Sequence, residues 1–242
     1  MTVKQILENL TPEIKKEMET IWFTADLHQG HPKIVPICNR PIYLDKKLQE
    51  YFKVIENAAF EKDGFWNPWT NKEWRDAMNK THDQWLVKEV FNKWVGRKDT
   101  VFILGDLSMA KRQEAEKFVD RLNGQKTLIE GNHDSTLKNS TRFAQITQIK
   151  EYKFKRSGVE IRIDLCHYPM ASWPSKPKGG WQLYGHVHGR FKNVGLSMDV
   201  GIDNSEIGWR PINLYELTLL MREKEKEFGE GVYYDNGLDG ID

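Results

Sequence analysis

Short apolar runs that stop abruptly at Asp, Asn or His recur along this chain, and no other feature restricts its fold as strongly. Ile21-Trp22-Phe23-Thr24 leads into Asp26-Leu27-His28, and Val101-Phe102-Ile103-Leu104 leads into Gly105-Asp106. Thr127-Leu128-Ile129 leads into Gly131-Asn132-His133-Asp134, and Trp181-Gln182-Leu183-Tyr184 leads into Gly185-His186-Val187-His188. His167 follows a fifth run that ends at Leu165. Four-residue blocks rich in aromatic and β-branched side chains read as buried strands. Open α/β sheets gather functional groups at the C-terminal ends of their strands, which is where these polar clusters fall.

The remaining segments supply the helices. Residues 2–19 read as two short ones, the second started by Thr11-Pro12-Glu13, with a cap, a proline at the first helical position and an early acid. Residues 44–61 are periodic through Leu44, Leu48, Phe52, Ile55 and Ala59, and a second long helix is expected from about Asn71 to Trp94. Residues 111–122 form an amphipathic helix that Asn123-Gly124 is expected to cap, and 213–226 form a closing helix. Between 147 and 165 the period drops to two on either side of Ser157-Gly158, which predicts a β-hairpin. Residues 169–180 read as a Pro- and Gly-rich loop, and Leu196 to Ile202 as a further strand. Alternation of strand and helix to about residue 130, then mostly strands, indicates a layered α/β fold. The whole of 1–242 is taken as one domain, with a helical, Trp-rich insertion at about 57–95 and a flexible tail at about 229–242. Five of the 9 tryptophans lie between Trp66 and Trp94, so the insertion must pack against something: the sheet, as a covering helical hairpin, or a lid or dimer surface.

Composition removes several functional classes. A formal net charge of +1 is not that of a dedicated nucleic-acid-binding surface. Cys38 and Cys166 form neither a zinc-ribbon spacing nor a disulfide framework. No stretch approaches the roughly 18 apolar residues of a membrane span, and the Met1-Thr2-Val3-Lys4 start has no apolar signal core. The expectation is a cytoplasmic protein, in the host cytoplasm if phage-encoded, with no membrane association.

The polar clusters carry carboxylate, imidazole and amide oxygen, a donor set suited to divalent ions such as Mn, Fe, Zn or Ni. Five of the 7 histidines (His28, His133, His167, His186, His188) belong to them. Singly, each has an ordinary alternative: Asp26-x-His28 as a turn, Gly105-Asp106 as a strand end, His167 as a satisfied core histidine. His186-x-His188 puts two imidazoles on one side of an extended segment, a geometry that metals use. Together, Asp26, His28, Asp106, Asn132, His167, His186 and His188 suffice for a two-metal hydrolytic site.

The ordered set Asp-x-His, Gly-Asp, Gly-Asn-His-Asp, His, Gly-His-x-His resembles the calcineurin-like metallophosphoesterase superfamily. The wider text Phe23 to His31 and Cys38-Asn39-Arg40-Pro41 is similar to its small bacterial and phage members. The resemblance spans residues 26 to 188 and implies a four-layer αββα sandwich. It also implies two divalent ions, Mn foremost. Asp26, His28, Asp106 and His188 would hold one, and Asp106, Asn132, His167 and His186 the other, with Asp106 shared. His133 would be a catalytic group that faces the phosphoryl oxygen rather than a ligand. The implied reaction is hydrolysis of a small phosphomonoester or phosphodiester, such as a nucleotide or cyclic nucleotide. The nucleophile would be an in-line hydroxide shared between the metals. Gly105-Asp106-Leu107-Ser108-Met109 lacks the further Asp and Arg of the phosphoprotein phosphatases. Arg40 and His31 could reach substrate phosphate; their alternatives are a structural ion pair for Arg40 and a place before a helix for His31. Asp134 reads as a residue that orients a neighbour or caps a helix. Competing readings are a nuclease or nucleic-acid end-processing phosphodiesterase, and a non-catalytic metal-binding scaffold. A homo-oligomer could form through the Trp-rich insertion.

Overall fold

The computed structural model describes residues 1–63, 70–191 and 195–229. Trp66 and Trp69 of the expected Trp-rich insertion lie outside them, as does nearly all of the expected flexible tail. Helix α1 (Val3–Glu8) opens with a capping box between Thr2 and Gln5. In α2 (Pro12–Met18) the Thr11 hydroxyl accepts from the Ile14 amide, and Pro12, with no N–H to satisfy, takes the first turn. Strand β1 (Ile21–Thr24) is followed by a long crossover containing α3 (Ile34–Ile37), a 3-10 turn Pro41–Leu44, α4 (Lys46–Asp63), α5 (Lys72–Trp85) and a π-helical turn Leu86–Phe91. Then come β2 (Thr100–Leu104), α6 (Arg112–Arg121), β3 (Gln125–Ile129) and β4 (Gln145–Thr147). The hairpin β5 (Ile149–Arg156) and β6 (Val159–Cys166) leads to β7 (Trp181–Tyr184), β8 (Ser197–Asp199), β9 (Ile212–Asn213) and α7 (Leu214–Phe228).

The class is mixed α/β with two sheets. A 5-stranded sheet has the order β4-β3-β2-β1-β9, parallel except for β9, and a 4-stranded sheet has the order β5-β6-β7-β8, parallel from β6 onward. The sheets share one core. Phe23 stacks on Phe102 at 5.4 Å between centroids, and Phe102 meets Tyr152 of the second sheet at 4.8 Å. Ile161, Ile163, Leu165, Leu183 and Met198 join this core, as do side chains of α1, α2 and α7. The other face of the first sheet, through Trp22, Val101, Ile103 and Leu128, packs on α6 and the Leu86–Val95 stretch. Burial on both faces accounts for the near-continuous apolar text of β1 and β2.

Three local expectations are corrected. The single helix expected from about 71 to 94 changes register at Leu86, where Asn92 N–H donates to Val87 O, a π-type bond. The wider turn keeps Leu86, Val87, Val90 and Phe91 all facing inward. Asn123-Gly124 does not continue the α6 end as a cap. Leu122 is already extended, and Asn123 instead bonds Asn92 and the Val95 carbonyl. The insertion covers the sheet only through its last part, Leu86–Val95, and its α4–α5 hairpin packs elsewhere. Trp74, Met78 and Ile55 form a separate small core with Ile34, Val35 and Ile42. Among the described residues no helix is long and apolar enough to cross a membrane.

Phe102 is the aromatic on which both sheets meet. Phe102→Ala is expected to cost about 3–5 kcal/mol in chemical unfolding; a loss below about 1 kcal/mol would contradict its bridging role.

Candidate metal centre

Parallel pairing brings the polar clusters together. Because β1, β2 and β3 run in one direction, Asp26, Asp106 and Asn132 emerge at one edge of the first sheet, and β6 and β7 deliver His167 and His186 at the corresponding edge of the second. A bridge between Ala25 and Gly201 joins the two edges, with Ile202 N–H donating to Ala25 O at 3.2 Å. The His186 amide donates to the Asp26 carboxylate, 2.9 Å from Oδ2. Close approach demands glycine here: a Cβ on Gly131 would strike the Asp106 carboxylate, and one on Gly201 would sit 2.6 Å from Asp26 Oδ2. Gly131 itself has no left-handed φ, so it serves proximity rather than a turn that requires one.

The backbone at this edge is strained in a selective way. Asp26, His28, Asp106, His186 and His188 all adopt left-handed conformations, with φ of 59, 54, 50, 71 and 50°. Asp and His tolerate this region better than most residues, yet each instance costs on the order of 1–3 kcal/mol and persists where surroundings overdetermine it. Strain concentrated on the candidate ligands is a mark of function that the sequence text does not carry.

The side chains form two groups about Asp106. Ligand-type atoms of Asp26, His28 and His188 lie within 4.8 Å of one another, and so do those of Asp106, His167 and His186. Asp106 Oδ2 lies 3.6 Å from His28 Nε2, while Oδ1 lies 3.5 Å from His167 Nε2. Each carboxylate oxygen therefore faces one group. Asn132 Oδ1 is 3.2 Å from His167 Nε2, so it belongs to the second group. His167 Nδ1 donates to Leu104 O at 2.8 Å, so it is Nε2 that turns toward Asp106 and Asn132 and that carries the lone pair in the neutral ring. Neither ring nitrogen of buried His28 has a hydrogen-bond partner. His133 bonds Asp106 Oδ1 through its backbone amide at 3.0 Å and keeps its partly exposed ring 4.0 Å from Oδ2. Asp26, His28, Asp106 and His167 make the buried floor, and Asn132, His133 and His186 make the open side.

Electrostatics at the floor call for positive charge. Burial, reinforced by Asp199 and Asp106, pushes the Asp26 carboxyl well above its usual range. Burial also raises Asp199 and Asp134. At Asp106 burial acts upward, but the hydrogen bond and charge of His167, the His133 amide and His28 outweigh it and hold the carboxyl low. Burial depresses His28 and His186. Among the described residues Arg40 is the one fully buried Lys or Arg side chain set against these carboxylates. Converging carboxylates, unprotonated imidazole nitrogens and an unpartnered buried histidine fit divalent cations.

Arg40 corrects the expectation of substrate contact. It is 0% exposed, and its donors reach Asp203, Leu27 O, Asp26 O and His82, so none is turned toward the open side. His31 lies half-buried beside His28, ring centroids 5.5 Å apart, and its carbonyl accepts from Ile34 at the start of α3. The Asp134 carboxylate is buried and accepts the amides of Asp106, Leu107 and Gly131 at 2.8–2.9 Å, pinning the two central turns together. Asp199 and Asp203 escape the sequence reading. Asp199 accepts the Gly189 and Gly201 amides at 2.7 Å, and Asp203 accepts from His188 Nδ1 at 2.7 Å. Asp199 falls inside the strand expected over Leu196 to Ile202, and only Asp203, just past it, stands where the other clusters stand.

No family model matches the chain. It is 28% identical over 222 residues to an uncharacterized protein of Methanocaldococcus jannaschii, a match covering 86% of this chain and 94% of that one. It is 25% identical over 198 residues to the gene 66 protein of Mycobacterium phage D29, covering 72% and 80%. Among solved structures, a protein of unknown function from Aquifex aeolicus matches 83% of this chain and 98% of its own, with a TM-score of 0.49 and 18% identity.

The buried imidazoles set a pH dependence. Burial drives His82 well below its ordinary value of 6.5 and brings His31 to about 4, while His167, raised by Asp106 against the effect of burial, and the raised carboxyls of Asp26, Asp199 and Asp134 act in the opposite sense. Below 6.5 the unfolded chain then binds more protons at His82 and His31 than the folded one, so this part of the stability is lost on acidification. Between about pH 7 and pH 5 the urea midpoint of metal-free wild type is expected to shift downward relative to that of His82→Gln, which lacks the His82 contribution. The same pH dependence in both proteins would contradict this contribution.

Proposed function

We propose that the chain is a dinuclear metal-dependent phosphoesterase acting on a small phosphoester, and that the two sheets and their helices form the four-layer sandwich of the calcineurin-like superfamily. One observation carries the reading: the two oxygens of Asp106 face two separate donor groups, at 3.6 Å from His28 and 3.5 Å from His167. That is the arrangement required of a carboxylate shared by two cations. Asp26, His28 and His188 would complete one site, and Asn132, His167 and His186 the other. Two divalent ions bound there would make a nucleophile available from water near neutral pH and withdraw charge from the phosphoryl oxygens.

The chain's own residues supply the rest. Asp106 and Asp26 hold the centre on its buried side, so a phosphoester can approach only from the side of Asn132, His133 and His186. The His133 amide, tied to Asp106, fixes its ring at the mouth, where Nε2 can hold a proton against the departing oxygen and release it as the ester bond breaks. Half-buried His31, uncharged near neutral pH because burial depresses it to about 4, borders the same mouth. A net charge of +1 favours a small substrate over a polyanion.

Protein loaded with Mn is expected to hydrolyse bis-p-nitrophenyl phosphate or p-nitrophenyl phosphate, and Asp106→Asn to abolish turnover. His133→Ala should keep both ions and lose on the order of 10²–10⁴ in rate, whereas Asn132→Ala should weaken one ion. Absence of turnover with Mn, Fe, Zn and Ni across monoesters and diesters would overturn the proposal.

A further inference from the structure

Arg40 spends every donor it has in one place. A guanidinium carries five N–H groups. Nε and Nη2 form a fork on Asp203 at 3.0 and 2.8 Å. Nη2 also donates to Asp26 O at 2.7 Å, and Nη1 to Leu27 O at 2.8 Å and His82 Nε2 at 2.6 Å. The two carbonyls belong to the turn whose flanking residues, Asp26 and His28, are both left-handed. Asp203 in turn accepts from His188 Nδ1, so the lone pair of His188 lies on Nε2. His82 can accept from Arg40 only with Nε2 unprotonated, which fixes its neutral Nδ1–H form. His82 comes from α5, in the crossover between β1 and β2.

We infer that His82, Arg40 and Asp203 form a positioning relay for one half of the centre, through which the helical insertion holds Asp26, His28 and His188 from behind. The inference rests on the dinuclear reading and adds to it the assignment of Arg40, Asp203 and His82 as positioning residues. The other half is oriented separately: His167 takes its direction from Leu104 O, and its neighbours make no contact with Arg40 or Asp203 among the bonds described. A second tie from α5 runs parallel to the relay. Asp83 accepts from Gln29 at 2.8 Å, and Gln29 accepts from Ser108 at 2.6 Å, linking the β1 and β2 loops to the same helix. The insertion therefore acts as a buttress on the buried side, away from the mouth at His133.

The test is a Mn²⁺ titration of the full chain by calorimetry, with electron paramagnetic resonance read at each point. Wild type should bind two ions and give the exchange-coupled signal of a pair. Asp203→Asn should hold one ion with unchanged affinity, bind the other about 10–100-fold more weakly, and show the six-line signal of an isolated ion. Equal weakening of both ions, or two ions at wild-type affinity, would overturn the relay. Wild type that binds no Mn²⁺ would instead remove the dinuclear reading on which the relay stands. Should Asp203→Asn fail to fold, ¹⁵N spectra of the wild-type histidines decide the matter. His188 and His82 protonated at Nδ1 support the relay, and protonation of either at Nε2 overturns it.

Discussion

Buried carboxylates held close together are the constraint around which the rest of the structure is arranged. Asp26, Asp106, Asp134 and Asp199 are buried and Asp203 keeps its carboxylate shielded where the two sheets meet, and unpaired charge in such a place is strongly unfavourable. Each carboxylate is answered differently. Asp134 takes three backbone amides and Asp199 takes two, so both serve as struts between turns. Asp203 takes the Arg40 fork, and although burial acts to raise it, Arg40 and His188 hold it at about 2. Asp26 and Asp106 have too few donors of their own. Left-handed turns and glycines at Gly131 and Gly201 bring these two to the floor of the centre, where cations would complete them.

Much of this was legible because it is local. A short apolar run followed by Asp, His or Asn predicts a strand and its polar end without any knowledge of tertiary contacts, and β1, β2, β3 and β7 follow that rule, while β6 is read from its period of two. The Thr11-Pro12 start of α2, the Ser157-Gly158 hairpin and the Asn213 start of α7 are likewise local signals. Strands β4 and β9, of 3 and 2 residues, are too short to have a period. The π turn at Leu86 arises from the need to bury four side chains against one sheet, which periodicity alone reads as ordinary helix. Arg40 is the instructive case: its position after the first ligand pair suggested substrate, and nothing in the text could say that three elements close over it.

Asp203 is a different kind of omission. Asp203 follows the alternating stretch Leu196 to Ile202 as the other clusters follow their strands, but it touches the candidate ligands only from behind. Residue type and spacing identify groups able to bind a metal; they do not identify the groups that aim them. The helical insertion gains a role by the same route. Its hairpin keeps its own small core and reaches the residues behind the centre through buried His82 and through Asp83.

The central claim is that Asp106 is shared between two cations. Anomalous diffraction from a crystal grown with Mn²⁺ measures this directly. The account requires two peaks roughly 3.5–4 Å apart, one beside each Asp106 oxygen. One set would be completed by Asp26, His28 and His188, and the other by Asn132, His167 and His186. A single peak remote from Asp106, or none in this cluster at saturating Mn²⁺, would contradict it.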